Sequence, residues 1–128
     1  MGTIPQKIVT RKHEITTQFL DMLDQHIEDL LSNEVSFQFK VSDFADNLFI
    51  TSSELTAVIE ITTKRTPLEL FEERLHAEAK VMLSGTVLTL KEIGKKLAFR
   101  NQKSFVEFFQ RLEATTPQAY RNSLQAIH

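Results

Sequence analysis

Two Thr-Pro dipeptides, Thr66-Pro67 and Thr116-Pro117, close two stretches of nearly the same internal spacing. Proline is tolerated at the first position of a helix and breaks one further in, and the preceding threonine caps the orphan amides. Each dipeptide therefore marks a helix start. Upstream of the second, residues 88–121 read LTLKEIGKKLAFRNQKSFVEFFQRLEATTPQAYR. Thr89 and Glu92 form a capping box, and Ile93 and Leu97 follow as a one-sided apolar stripe. Phe105, Phe108, Phe109 and Leu112 then recur at i, i+3, i+4 and i+7, the buried face of a second helix. Upstream of the first dipeptide the same order returns. Ser42 caps a short helix with Val41, Phe44, Ala45 and Leu48 inward. Residues 47–49 turn, and Thr51 with Glu54 opens a helix carrying Leu55, Val58, Ile59 and Thr62 on one face. Helix, turn, helix, then Thr-Pro and another helix occurs twice, which predicts two helix-turn-helix units.

The rest of the chain is read around this repeat. Residues 1–11 contain Pro5 and no periodicity, so they are expected to be a flexible arm, made basic with its neighbour by Lys7, Arg11 and Lys12. A helix is expected over 12–32, where Ile15, Phe19, Met22, Leu23, Ile27, Leu30 and Leu31 return every three to four residues. His26 falls at the edge of that stripe and reads as a packing residue, since no second His stands three or four positions away. EVSFQFK (34–40) alternates like a strand but has no strand partner, so it reads as an extended linker whose Val35, Phe37 and Phe39 reach the core. Thr66 and Glu69 box the start of a long helix with Leu68, Phe71, Leu75, Ala79, Met82 and Leu83 on one stripe, ended by Gly85. After Pro117, Ala119, Tyr120 and Leu124 pack back. The expected organisation is all-α: an arm (1–11), a first helix-turn-helix subdomain (12–65), a linker helix (66–85) and a second helix-turn-helix subdomain (86–128).

Composition narrows the function. The 128 residues suffice for one compact domain or two very small ones sharing a helix. No cysteine is present, which excludes disulfides, thiolate metal sites and cysteine nucleophiles and fits a reducing, cytoplasmic setting. No apolar run approaches a membrane span, and the start lacks a signal-peptide apolar region. Met1-Gly2 resembles a myristoylation start, but Gln6 stands where Ser or Thr is required. His13, His26, His76 and His128 are scattered, and Glu72, Glu73 and Glu78 lie on the long helix without a Gly-rich loop, so no enzyme, metal or cofactor is expected. The net charge of −2 conceals an asymmetry. Residues 1–85 carry 8 Lys/Arg and 14 Asp/Glu, whereas residues 86–128 carry 7 and 3. Only the C-terminal part is suited to a polyanion.

TPLELFEERLHAEAK (66–80), LKEIGKKLAFRNQKSFVEFFQR and TTPQAYR together resemble the DNA-binding domain of the AraC/XylS family of bacterial transcription regulators. The likeness covers roughly residues 15–124. It implies about seven helices, two helix-turn-helix units joined by one long helix, and recognition helices entering successive major-groove turns on one face of DNA. Carried over by position, it implies that the first recognition helix presents Ser53, Thr56 and Ala57, and the second Gln102, Lys103, Ser104, Val106 and Glu107. The chain departs from the family's pattern. Ala57 stands where a basic residue is common, Ile59 where Phe is usual and Glu60 in place of a frequent Lys. Lys64 and Ala114 take the usual glycines, Glu107 a position commonly Arg or Lys, and Gln110 that of a frequent Lys.

The chemistry of these residues separates the two units. Affinity for DNA comes largely from neutralising phosphates, and residues 52–63 hold two glutamates and no Lys or Arg. The first unit is therefore expected to add little. In the second, Gln102 suits adenine and Lys103 guanine or phosphate, while Glu107 either accepts from cytosine N4 or is a solvated carboxylate that weakens binding. Lys91, Lys95, Lys96, Arg100 and Arg111 are expected phosphate contacts, which position without specifying. The phenylalanines resemble a stacking platform for single strands, but their spacing assigns them to core. The expected function is sequence-specific double-stranded DNA binding and transcription regulation, read mainly by the second unit. The alternative is a protein-interaction domain on the same fold, whose acidic first half docks RNA polymerase, a sensor domain or a second copy. The oligomeric state is left open, and a monomer serves the DNA reading.

Overall fold

The computed structural model describes residues 6–126 as seven helices: α1 (Gln6–Leu31), α2 (Val41–Asn47), α3 (Ser52–Thr63), α4 (Pro67–Gly85), α5 (Leu90–Lys96), α6 (Gln102–Glu113) and α7 (Pro117–Ala126). No strand occurs among the described residues. The expected all-α architecture of two helix-turn-helix units and a long intervening helix is thus observed. The chain divides into two compact units. The first takes residues up to His26 together with Phe39–Phe71, and the second takes Ile27–Gln38 and everything from Glu72 onward. Both long helices contribute to both units.

The first unit closes over an aromatic cluster. Phe19, Leu23, Phe44, Ala45, Leu55, Ile59 and Phe71 are buried. Phe44 meets Phe19 and Phe71 edge-on, with ring centroids 5.4 and 5.7 Å apart. His26 lies inside this cluster, where its Nε2 accepts the Phe39 amide at 3.0 Å and Phe39 stacks on its ring at 4.0 Å. The expected packing role of His26 is thereby given a mechanism: it satisfies a backbone donor that would otherwise be lost to water. Thr16 and Thr62 hydroxyls meet at 2.8 Å and tie α1 to α3.

The second unit buries Ile27, Leu30, Leu75, Ala79, Leu83, Ile93, Leu97, Phe105 and Phe109. Phe99 packs against Phe105 and Phe108, and Tyr120 of α7 against Phe109. The phenylalanines are core, as their spacing demanded. Arg121 sends its guanidinium to the end of α4, donating to the carbonyls of Leu83 at 3.0 Å and Leu88 at 2.7 Å, with longer contacts to Met82 and Thr86.

Several expectations change. The first helix begins at Gln6 rather than at residue 12, since after Pro5 nothing in the sequence interrupts it; residues 1–5 of the expected arm lie outside the described residues. Ser42 does not cap α2. The cap position is Lys40, whose amide donates to the Asp43 carboxylate at 2.7 Å, placing Ser42 inside the first turn. Phe37 points outward, leaving Phe39 and, partly, Val35 to pack. Leu68, Leu112 and Ala119 are exposed rather than packed. Leu112 sits one residue before α6 ends, where three phenylalanines already fill the buried face. Gly85 ends α4 without the left-handed conformation of a glycine cap. Arg121 takes the carbonyls there instead.

Candidate nucleic-acid interface

The two helix-turn-helix units are built by the same local devices. At the end of α2, Phe49 N–H bonds to the Asp46 carbonyl and Ile50 N–H to Ala45. At the end of α5, Ala98 N–H bonds to Lys95 and Phe99 N–H to Gly94. Both are Schellman closures, which place one residue in the left-handed region. Those residues are Phe49 (φ 59°) and Ala98 (φ 63°). Thr51 then caps α3, its hydroxyl accepting Glu54 N–H at 3.0 Å, and Asn101 caps α6, its Oδ1 accepting Ser104 N–H at 2.8 Å. The recognition helices end alike, at left-handed Lys64 and Ala114. The second turn is one residue longer, since three positions separate Ala98 from Asn101 and two separate Phe49 from Thr51.

Close packing sets α6 against α5. Gly94 is buried, and a Cβ built there lies 3.2 Å from the Phe105 Cβ. The approach is tighter than ordinary side-chain contact, so any larger residue there must displace Phe105. Gln38 adds a second tie, its side-chain amide donating to the Leu97 carbonyl at 2.8 Å and capping α5. The carboxylate of Glu92 accepts the Thr89 amide at 3.0 Å, which holds it below its ordinary range. Sequence reasoning passed over Gly94, Gln38 and the capping role of Arg121, while Arg100 and Asn101 were expected to open α6. Asn101, three residues before Ser104, carried a readable N-cap signal. Gln38 and Arg121 carried none, because their partners are distant in sequence.

The outer faces differ sharply. On α3, Ser52, Ser53, Thr56, Ala57 and Glu60 line a shallow depression of hydroxyl and carboxylate groups. Ser53 and Ala57 are exposed and Thr56 half-buried. Glu54 occupies the first turn, and α3 has no basic residue. On α6, Gln102, Lys103 and Glu107 are exposed, Ser104 and Val106 half-buried, and no acidic residue occupies the first turn. The positive end of that helix dipole is therefore left uncompensated, a favourable setting for phosphate. Lys91 and Lys95 on α5 and Arg100 in the turn are exposed, and Lys96 is half-buried. Lys103 and Glu107 lie one turn apart, Nζ to Oε1 3.9 Å.

Arg111 is placed differently from the other cations. Its guanidinium forms a two-pronged ion pair with Glu72 on α4 and lies 5.7 Å from the centre of the Phe108 ring. The Glu72 hydrogen bond raises the Arg111 pKa further. With Arg121 engaged by carbonyls and Lys103 beside Glu107, three of the seven cations in residues 86–128 have partners within the second unit. Among the described residues, no group of three or more His, Asp or Glu is placed to hold a metal, and no helix is long and apolar enough to cross a membrane.

Comparison with known proteins gives a consistent picture. Residues 44–123 match the family model described as a helix-turn-helix domain, of AraC type. A curated relative, the uncharacterised HTH-type transcriptional regulator YtdP of Bacillus subtilis, is 23% identical over 105 residues, covering 82% of this chain and 14% of its own length. The chain thus spans about one seventh of that relative. Among solved structures, an AraC-type transcriptional regulator from Chromobacterium violaceum superposes with a TM-score of 0.71 at 16% identity, over 90% of this chain and 96% of that one. The DNA-binding domain of AdpA, solved in complex with a target DNA, gives 0.67 at 18% identity, over 80% and 96%. The C-terminal domain of the response regulator yesN from Fusobacterium nucleatum gives 0.64 at 21%, over 77% and 96%. At these identities the structures establish a shared fold.

Proposed function

The chain belongs to the AraC-type family of helix-turn-helix transcription regulators, and from that premise we propose that it binds double-stranded DNA sequence-specifically, with α6 as its major-groove reader. The observation that carries this reading is the contrast between the two recognition helices. α3 offers hydroxyls and two glutamates, whereas α6 begins without a carboxylate and follows α5 and a turn that carry Lys91, Lys95, Lys96 and Arg100. Phosphate neutralisation supplies most of the affinity for DNA, so the second unit dominates. Gln102 and Lys103 reach base edges, while Ser104 and Val106 sit against the groove wall and pack. Arg111 is withdrawn from phosphate by Glu72. Ser53, Thr56 and Ala57 make a weak, sequence-tolerant contact from the first unit. AdpA, which shares the fold and was solved on a target DNA, supports a duplex as the ligand. The binding serves transcription regulation in the bacterial cytoplasm.

A gel shift with genomic fragments across a salt series tests the reading. Four phosphate-facing cations and Lys103 give a log–log salt slope of about −3 to −5. Lys95→Ala lowers affinity uniformly and reduces the slope by about 1, while Gln102→Ala relaxes preference at one base pair. Salt-insensitive or undetectable binding sinks the proposal. One observation favours a second reading for the first unit. Phe49, in the turn before α3, is 94% exposed in a unit whose recognition helix bears no cation. That unit is suited to docking a protein, such as RNA polymerase or a sensor domain.

A further inference from the structure

Glu107 is the one carboxylate on the exposed face of α6 beside Gln102 and Lys103. It is 66% exposed in its side chain, and its ion partner is Lys103, itself 85% exposed, at a long 3.9 Å. A solvated pair of this kind adds little to folding. Its position makes it costly for binding, because a negative charge on a helix that approaches phosphates repels any DNA on which it finds no donor.

Major-groove edges offer such a donor at one base. Cytosine presents its N4 amine there, and the guanine paired with it presents N7 and O6 as acceptors. Residues i and i+4 lie about 6 Å apart along a helix axis, so they address base pairs one or two steps apart at about 3.4 Å per step. We propose that Lys103 and Glu107 form a charge-gated reader of a C·G-containing step: Glu107 accepts from cytosine N4 and Lys103 donates to a guanine one or two pairs away. On other sequences Glu107 finds no donor and its charge repels the backbone. The inference rests on α6 being the reading helix. It adds that specificity is gained by penalising wrong DNA, with Glu107 as the discriminating residue.

Selection from a random duplex library, using the whole chain and its Glu107→Gln, Glu107→Ala and Lys103→Ala variants, tests this. The wild-type chain is expected to enrich sites with cytosine at one fixed position. Glu107→Ala should lose that preference about tenfold while its affinity for non-cognate duplex rises severalfold. Glu107→Gln, which replaces an acceptor by an acceptor–donor pair, should move the preference at the same position from cytosine to adenine. Equal gains in affinity on every sequence, with base preference unchanged, would overturn the proposal and reduce Glu107 to a repulsive charge. If Lys103→Ala and both Glu107 variants leave binding and selected sites untouched, α6 is not the reader, and the underlying assignment fails as well.

Discussion

The Arg121 guanidinium on α7 donates at 2.7 Å to the backbone carbonyl of Leu88, 33 residues earlier, and thereby closes the end of α4 and the strap that follows it. A helix end leaves four carbonyls without partners, and here one planar cation serves several of them. Arg121→Ala is expected to destabilise the second unit by about 2–3 kcal/mol, since hydrogen bonds to charged groups are worth more than neutral ones. Lysine cannot fan its donors across the same carbonyls, so Arg121→Lys should recover less than half of the loss. Denaturant unfolding gives the magnitude, and amide exchange should show early opening around residues 82–89. Unchanged stability in Arg121→Ala would refute the capping role.

The approach of Gly94 to Phe105 sets how α6 leans on α5. An added methyl meets the Phe105 Cβ at 3.2 Å, an atom near the backbone that yields only if the helix shifts. Gly94→Ala gains about 1 kcal/mol of helix propensity against that strain, and the two nearly cancel. Gly94→Val has no such balance and should cost about 2–3 kcal/mol. Under the proposed function it should also weaken DNA binding in excess of its stability loss, because α6 is displaced. Equal stability of the Val variant and the wild type would show that the contact relaxes freely.

Among the described residues, Asn33, Phe49, Lys64, Ala98 and Ala114 hold left-handed conformations, and no glycine does. A side chain there costs roughly 1 kcal/mol or more, except where asparagine compensates locally. Phe49 loses almost no packing on replacement, being 94% exposed. Phe49→Asn and Ala114→Gly are each expected to raise stability by about 0.5–1 kcal/mol, the glycine gaining less because it also frees the unfolded chain. Thermal melts of the single variants decide this, and a lowered midpoint in both would contradict it.

Two boxed carboxylates make the fold acid-sensitive. Glu69 is held below its ordinary pKa of 4.5 by the Thr66 amide, then by the Thr66 hydroxyl and Arg65. Glu92 is held below it by the Thr89 amide and then the Thr89 hydroxyl. A depressed folded-state pKa means that the unfolded chain takes up protons first on acidification. The stabilisation is therefore complete above the ordinary carboxylate value and is lost as pH falls through it towards the lower, folded value. Glu69→Gln and Glu92→Gln should flatten the acid limb of a stability–pH profile below about pH 5, by lowering stability at neutral pH and leaving the acid end comparatively unchanged. A profile as steep in the double variant as in the wild type would remove both boxes as the cause.

Periodicity and capping made the helices legible before any coordinates. Thr66, Thr89 and Thr116 each cap where a Thr with its downstream Glu or Pro said they should. The aromatic face of α6 is buried because its spacing allows no other single face. These are local rules, satisfied within a few residues of chain, and the sequence alone determined them together with the charge asymmetry and the doubled unit. The start of α1 was missed because a lone proline followed by a short aperiodic stretch reads as an arm, although nothing in that stretch opposes a helix.

What only the tertiary structure decided concerns partners far apart in sequence. Arg111 and Arg121 count as basic charge on paper, yet Glu72 and the carbonyls after α4 engage them, and no local pattern encodes a pairing across more than thirty residues. Gln38 capping α5, and the tight Gly94–Phe105 approach, depend likewise on surfaces that exist only once the helices pack. Helix propensity and capping are short-range and additive along a chain. The availability of a charge for a ligand depends on which neighbour folding has placed beside it.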